Sequence, residues 1–264
     1  MPQLADYPRY AWQLLQGHRS WMEQTTAEQR QRDIAPYLDT SRPLQVLDLA
    51  NGRLRPQYTL LRAAGHQVYG IDFVNRPYLS WKDQAYRVAR RLYTWRLGLP
   101  LQMAAGQTLA CGDVGALPYP NDSFDLVTSI AAFEHFLDVP AVVAELRRVL
   151  RPDGVAWISI HLFTSPSGGH NLSFAEVPLR TIPPGIDAWD HLRKRRLPFT
   201  VPLNEWRKEQ YLATFAQHFD ILQHYCATCE GEELLTPEIQ AELADYHRDE
   251  LICSAYVIVA RKPA

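Results

Sequence analysis

The chain has 264 residues, 47% of them hydrophobic and 21% charged, with a net charge of −2 at neutral pH. That is enough apolar material to fill the core of one large α/β domain, and it excludes a disordered chain. It offers no basic excess to a phosphate backbone, so nucleic acid is not an expected partner.

In chain order, MPQLADYPRYAWQLL lacks the basic and apolar regions of a secretion signal. No apolar run in the sequence is long enough to span a bilayer, so the expectation is a cytoplasmic protein with no membrane partner. Residues 7–38 carry aromatic and aliphatic positions at helical spacing and predict one or two helices, ended by a turn-rich cluster at 39–43. LQVLDL at 44–49 reads as a buried strand, 56–64 as a helix closing on Gly65, and VYGID at 68–72 as a second strand. Together these make a compact βαβ unit. A helix is predicted over 78–97, a strand around 107–111 and another at 123–129. Residues 139–150 form an amphipathic helix with Val142, Val143, Leu146, Val149 and Leu150 on one face, followed by a turn at 151–154 and an apolar strand at 155–162.

Residues 163–203 break this rhythm. They are rich in Pro, Gly, Ser and His, and Phe163, Phe174, Trp189 and Phe199 predict packing rather than disorder. Long irregular insertions are usually lids or binding loops. A helix at 204–217 and strands at 219–226 and 253–260 close the chain. Alternating strands and helices imply an α/β fold, a Rossmann-like doubly wound, mostly parallel sheet of about seven strands with helices on both faces. The expected organisation is a single domain over 1–264: N-terminal helices at 1–43, the core at 44–162, an insertion or lid at 163–203, and a closing helix and strands at 204–264.

Ligands of such sheets sit beyond the C-terminal ends of the central strands. Asp48, Asp72 and Asp113 fall at three such ends. A carboxylate at Asp72 suits two ribose hydroxyls, Asp113 lies at a height suited to an adenine amino group, and Asn51-Gly52 supplies a tight turn for close approach.

The successive stretches VLDLANGRLRP, GHQVYGIDFV and GDVGALPYPNDSFDLVTSIAAFEHFLDVPAVVAELRRVLRPDG resemble the motif series of class I S-adenosylmethionine-dependent methyltransferases, over roughly residues 44–161. The resemblance implies S-adenosylmethionine as cofactor. It implies that Asp72 and the adjoining Phe73 stand at the ribose, Asp113 and the backbone of Val114 at the adenine, and Asp48, Ala50, Asn51 and Gly52, with Ser129 and Ile130, along the methionyl part. One loop departs from the family. Its usual Asp-Leu-Gly-Cys-Gly-x-Gly reads Asp48-Leu49-Ala50-Asn51-Gly52-Arg53-Leu54, keeping only the middle glycine. Ala50 is tolerable there if its φ is negative, and Leu54 either intrudes on the cofactor floor or packs beneath it.

For a weakly acidic acceptor the enzyme also has to remove a proton. Histidines near strand ends are the candidates: His135 after the fourth strand, His161 at the end of the next, His170 behind Gly168-Gly169, and His191 in the insertion. His161 and His170 lead this set, and the bland reading makes His170 an exposed turn residue. No compact ligand spacing joins the histidines to Asp187 or Asp190, so no metal is expected. Cys226 and Cys229 form a C-x-x-C with no second pair at short spacing, which favours a structural role. The run Arg193 to Arg196 is read as a solvated face or an anion site. The expected function is methyl transfer to an O or N atom of a small-molecule or glycan-like acceptor, by a monomer or homodimer. The alternative is a non-catalytic binding or scaffolding module of the same fold.

Overall fold

The apolar strands are two-sided. Val46, Leu126, Val155 and Trp157 point to one face, and Leu47, Leu49, Val127, Ala156, Ile158 and Ile160 to the other. Alternation of this kind, with both faces apolar, demands a cover on each side. The computed structural model describes residues 12, 16–75, 81–171 and 185–263. Phe174 and the starts of the two helices expected at 7–38 and 78–97 lie outside them.

Seven strands form one sheet: β1 (Gln45–Leu49), β2 (Gln67–Ile71), β3 (Leu109–Ala110), β4 (Phe124–Ile130), β5 (Leu150–His161), β6 (Asp220–Cys229) and β7 (Cys253–Arg261). Their order is β3-β2-β1-β4-β5-β7-β6. β1 to β5 are parallel, while β7 runs antiparallel between β5 and β6. The order reverses between β1 and β4, which opens a crevice at their C-terminal ends.

The helices are α1 (His18–Ile34), α2 (Pro56–Ala63), α3 (Trp81–Arg96), α4 (Val139–Val149), α5 (Asp190–Arg193), α6 (Lys208–Ala216), α7 (Pro237–Glu242) and α8 (Arg248–Leu251). α4 shows why such segments become helices. Asp138 caps it by accepting from the Ala141 N–H at 3.0 Å, Pro140 occupies its first turn, and Val139, Val142, Val143, Leu146 and Val149 are buried on one stripe. Its face and α6 cover one side of the sheet, while α1 and α2 cover the other.

Some boundaries differ from expectation. β3 is only two residues long, and β6 runs on to Cys229. The expected turn at 151–154 lies within β5, where pairing to β4 shifts register between Phe124 and Leu126 and Asp153 takes a positive φ of 61°. The helix expected from 204 starts at Lys208, because Asn204 is tied to the 133–136 turn and Glu205 takes a positive φ of 59°. α7 and α8, of six and four residues, are too short to reveal a helical period in sequence.

α1 is fixed to the sheet by a buried polar knot. Asp33 Oδ2 accepts from the Trp157 indole N–H at 2.8 Å and from the Tyr225 hydroxyl, and Asp33 Oδ1 accepts from Gln29. Replacing Asp33 by Ala strands the buried indole donor. We expect the Asp33→Ala protein to lose about 2 kcal/mol in urea unfolding, and an unchanged midpoint would deny the knot its role.

Candidate functional site

At the end of β1 the chain turns through Ala50 and Gly52, with φ of 52° and 66°. The condition for tolerating Ala50, a negative φ, is therefore not met. The loop keeps the left-handed backbone that glycine would favour and carries the Cβ at a cost of about 1 kcal/mol. Leu54 is half-buried, and Arg53 beside it reaches across to α3, pairing with Asp83 at 3.0 Å and lying over the Tyr86 ring. The Arg53 carbonyl accepts from Arg90 at 2.8 Å, so α3 braces the loop at two points.

The polar groups around this loop are only partly satisfied. Asp72 accepts the Gly52 N–H on Oδ2 at 2.8 Å and the Val74 N–H on Oδ1 at 2.9 Å, tying the loop to the end of β2. Among the described residues Asn51 accepts from Asn75, but its own Nδ2 is buried without a hydrogen bond. Asp48 is buried, its Oδ2 likewise unbonded among the described residues, and burial pushes its carboxyl up to about 7. Phe73 stands 66% exposed after β2. Asp113 is exposed and accepts the Gly115 N–H at 2.9 Å, with Val114 buried next to it. Ser129 at the end of β4 is buried and donates to the Leu49 carbonyl at 3.4 Å, and Ile130 is half-buried.

A second group of residues gathers beyond β4 and β5. Glu134 and His135 lie in a single turn (Phe133–His135) after β4, held by the Asn204 amide, which donates to the Phe133 and Phe136 carbonyls at 2.8 and 3.0 Å. After β5 the chain folds back sharply over 162–170, all but its last residue buried. A Cβ on Gly168 would collide with the Phe163 carbonyl, and one on Gly169 would meet the His191 Cβ at 2.8 Å. The two glycines permit that fold-back. His170 then sits with φ 54° and its ring 4.7 Å from both His135 and His161. It is largely buried, not the exposed turn residue of the bland reading.

Glu134 is 1% exposed, and neither carboxylate oxygen makes a hydrogen bond among the described residues. The backbone N–H groups of Glu134 and His161 pull its pKa down only in part. Burial dominates and raises its carboxyl to about 8. Glu134 Oε1 lies 3.7 Å from His170 Nε2 and 3.9 Å from His135 Nε2. The Pro202 carbonyl lies 2.9 Å from His135 Nδ1 and can only accept, so Nδ1 carries the proton and Nε2 the lone pair. Among the described residues His170 Nε2 is buried without a hydrogen bond, and burial lowers its imidazole to about 3. Burial likewise lowers His161 to about 4. The Ser167 hydroxyl donates to Glu230, so His161 Nε2, 3.0 Å away, must donate to Ser167 Oγ.

His191 is apart from this group. It is 3% exposed, its Nε2 bonds the Phe163 carbonyl at 2.7 Å, and it packs against Gly169 as a support for the fold-back. Three of the four cations in the run are paired locally: Arg193 with Glu242 at 2.6 Å, Arg195 with Glu205 at 2.7 Å and Arg196 with Asp190 at 2.9 Å. Glu134, beside His135, is a site residue that the sequence does not single out: an acid shortly after a buried strand looks like a helix-start residue until its burial is known. The cysteines also group unexpectedly: Cys226 and Cys229 sulfurs are 3.2 Å apart, and the neighbouring Cys253 helps to hold the Cys226 thiol below its usual range.

Residues 47–158 match the family of methyltransferase domains. The demethylmenaquinone methyltransferase of Thermus thermophilus is 32% identical over 142 residues, 53% of this chain and 57% of the relative. This chain therefore spans little more than half the length of that curated relative, and less of a sterol 24-C-methyltransferase from Gibberella zeae, where 30% identity covers 28% of its length. Among solved structures, a putative sarcosine dimethylglycine methyltransferase from Galdieria sulphuraria superposes with a TM-score of 0.56 at 18% identity, covering 90% of this chain and 86% of that one. At such identity the likeness is one of fold. Among the described residues no helix is long and apolar enough to cross a membrane.

Proposed function

We propose that the chain is a class I S-adenosylmethionine-dependent methyltransferase acting on an oxygen or nitrogen atom of a small-molecule acceptor, a reading supported by the match of residues 47–158 to the family of methyltransferase domains. The observation that carries this reading is the unsatisfied Glu134–His135–His170 group set beyond β4 and β5, alongside the half-satisfied polar loops of β1 and β2.

S-adenosylmethionine supplies an electrophilic methyl carbon on a sulfonium. The residues present fit it. Each Asp72 oxygen keeps a lone pair beyond its one backbone bond, enough for two ribose hydroxyls. Asp113 and the Val114 backbone would hold the adenine, and exposed Phe73 would stand with Asp72 at the ribose. Asp48, Ala50, Asn51 and Gly52 border the methionyl part, and the orphaned Asp48 Oδ2 and Asn51 Nδ2 await polar partners there. Ser129 and Ile130 close that side from β4.

On the acceptor side, methyl transfer is an in-line displacement, so alignment matters most. The buried carboxylate of Glu134 and the lone pairs of His135 and His170 orient the acceptor. Its O–H or N–H proton leaves to an imidazole Nε2 as the bond to the methyl carbon forms, and the C–S electrons stay on sulfur. His161 is oriented by Ser167 and Glu230 and supports the His170 ring. The altered loop motivates the other reading, a binding module without catalysis. Against it, Ala50 and Gly52 still hold the left-handed turn that lets a backbone approach a ligand.

The test is a calorimetric titration with S-adenosylmethionine and S-adenosylhomocysteine, followed by a transfer assay on hydroxy and amino acceptors. We expect saturable binding, and for His170→Asn a fall in turnover of about 10²- to 10⁴-fold at unchanged S-adenosylhomocysteine affinity. Asparagine tolerates the positive φ of that position. A folded protein that binds neither compound would overturn the proposal in favour of the non-catalytic module.

A further inference from the structure

We propose that Glu134, His135 and His170 form a site for a divalent first-row transition-metal ion, with one Glu134 carboxylate oxygen and the Nε2 atoms of the two imidazoles as ligands. The three donor atoms lie within 4.8 Å of one another. Ligands bound at about 2.1 Å stand about 3.0–3.5 Å apart, so the present 3.7 and 3.9 Å from Glu134 Oε1 need only small side-chain rotations.

Three features favour an ion over a purely protein-made network. The Glu134 carboxylate is buried with both oxygens unbonded among the described residues, a cost that a nearby positive charge would offset. His170 Nε2 is buried and makes no hydrogen bond among the described residues, so this nitrogen is open to an ion. His135 donates Nδ1–H to the Pro202 carbonyl, the arrangement that fixes the tautomer and aim of metal-bound histidines. A carboxylate with two imidazoles suits Zn2+, Mn2+, Fe2+ or Co2+ better than Mg2+ or Ca2+, which prefer oxygen cages. The glycine-enabled fold-back at 168–170 gains a purpose, since it delivers the third ligand.

Three protein ligands leave coordination positions open. On the reading of the chain as a methyltransferase, an acceptor oxygen fills one of them. With both Nε2 lone pairs engaged, the ion rather than an imidazole would favour loss of the hydroxyl proton, to solvent, and the oxyanion would attack the methyl carbon while the C–S electrons stay on sulfur. The acceptor class is then narrowed to hydroxyl compounds, such as phenols, enols or hydroxy acids, that can bind an ion through oxygen.

The experiment uses untagged, chelator-treated full chain titrated with Zn2+ by calorimetry and with Co2+ by visible absorption. We expect one ion per chain and d–d bands of low-symmetry Co2+. Glu134→Gln and His170→Asn should each weaken binding by about 100-fold. Both variants should still bind S-adenosylhomocysteine, which reports that they fold. No binding of either ion, or binding that survives both substitutions and so resides elsewhere (at Cys226, Cys229 and Cys253, for example), overturns the proposal. The S-adenosylhomocysteine titration of the wild type decides the methyltransferase reading separately.

Discussion

Replacing Asp72 by Ala is expected to weaken S-adenosylhomocysteine binding by two orders of magnitude or more. The carboxylate stands at the end of β2, beside the crevice where strand order reverses. It already accepts Gly52 N–H on one oxygen and Val74 N–H on the other. Two ribose hydroxyls use the remaining lone pairs, and each charge-assisted bond is worth about 1.5–3 kcal/mol. Losing both raises the dissociation constant by roughly 10²- to 10⁴-fold. The substitution also frees the Gly52 N–H, so part of the loss comes from a loosened loop. Asp72→Asn separates the two effects. Its amide can keep one backbone bond but lacks the charge and one acceptor, and it should fall between Ala and the wild type. The measurement is calorimetric titration of all three proteins, with thermal melts to establish folding. Wild-type affinity in Asp72→Ala would remove Asp72 from the ribose.

Much of this arrangement is legible in the sequence, because strand period and strand-end acids are local properties. β1, β2, β4 and the apolar part of β5 announce themselves as short hydrophobic runs, and Asp48, Asp72 and Asp113 follow from where those runs stop. The acceptor-side group is not local. Glu134 and His135 meet His170 only because β4 and β5 are parallel neighbours and the chain then doubles back through Gly168 and Gly169. No fixed spacing encodes that meeting, so a search for compact ligand patterns passes it by. The same holds for the cysteines: Cys253 is distant in sequence but pairs with Cys229 across the antiparallel β6–β7 ladder. Ala50 illustrates a different limit. A sequence states which residue occupies a loop, whereas its φ is set by the Ala50 N–H bonding the Ile71 carbonyl at 2.8 Å and by Gly52 being held to Asp72.

The fold-back that delivers His170 depends on an ion pair well away from it, and this gives the second large expected effect. Glu250 in α8 is fully buried, and Arg207 grips it with two N–H groups, Nε at 3.0 Å and Nη2 on the other oxygen. The same residue accepts the His247 N–H on its side chain at 2.8 Å and the Thr164 hydroxyl on its backbone carbonyl at 2.8 Å. Glu250 thus joins three segments: its carboxylate holds the start of α6 and the start of α8, and its backbone carbonyl holds the first residues after β5. Arg207→Ala leaves that carboxylate buried with only the His247 N–H as a partner, and removing one member of a buried pair costs about 3 kcal/mol or more. Arg207→Lys keeps the charge but not the two-pronged geometry, so it should recover only part of the loss. Urea unfolding of the three proteins measures this order. Because Thr164 hangs from the Glu250 backbone, the Ala variant should also lose amide exchange protection over 163–170. Its Zn2+ affinity should fall without any ligand having been touched. Equal stability of Arg207→Ala and the wild type would mean that the closing helices and the fold-back are held independently, and that His170 is placed by its two glycines alone.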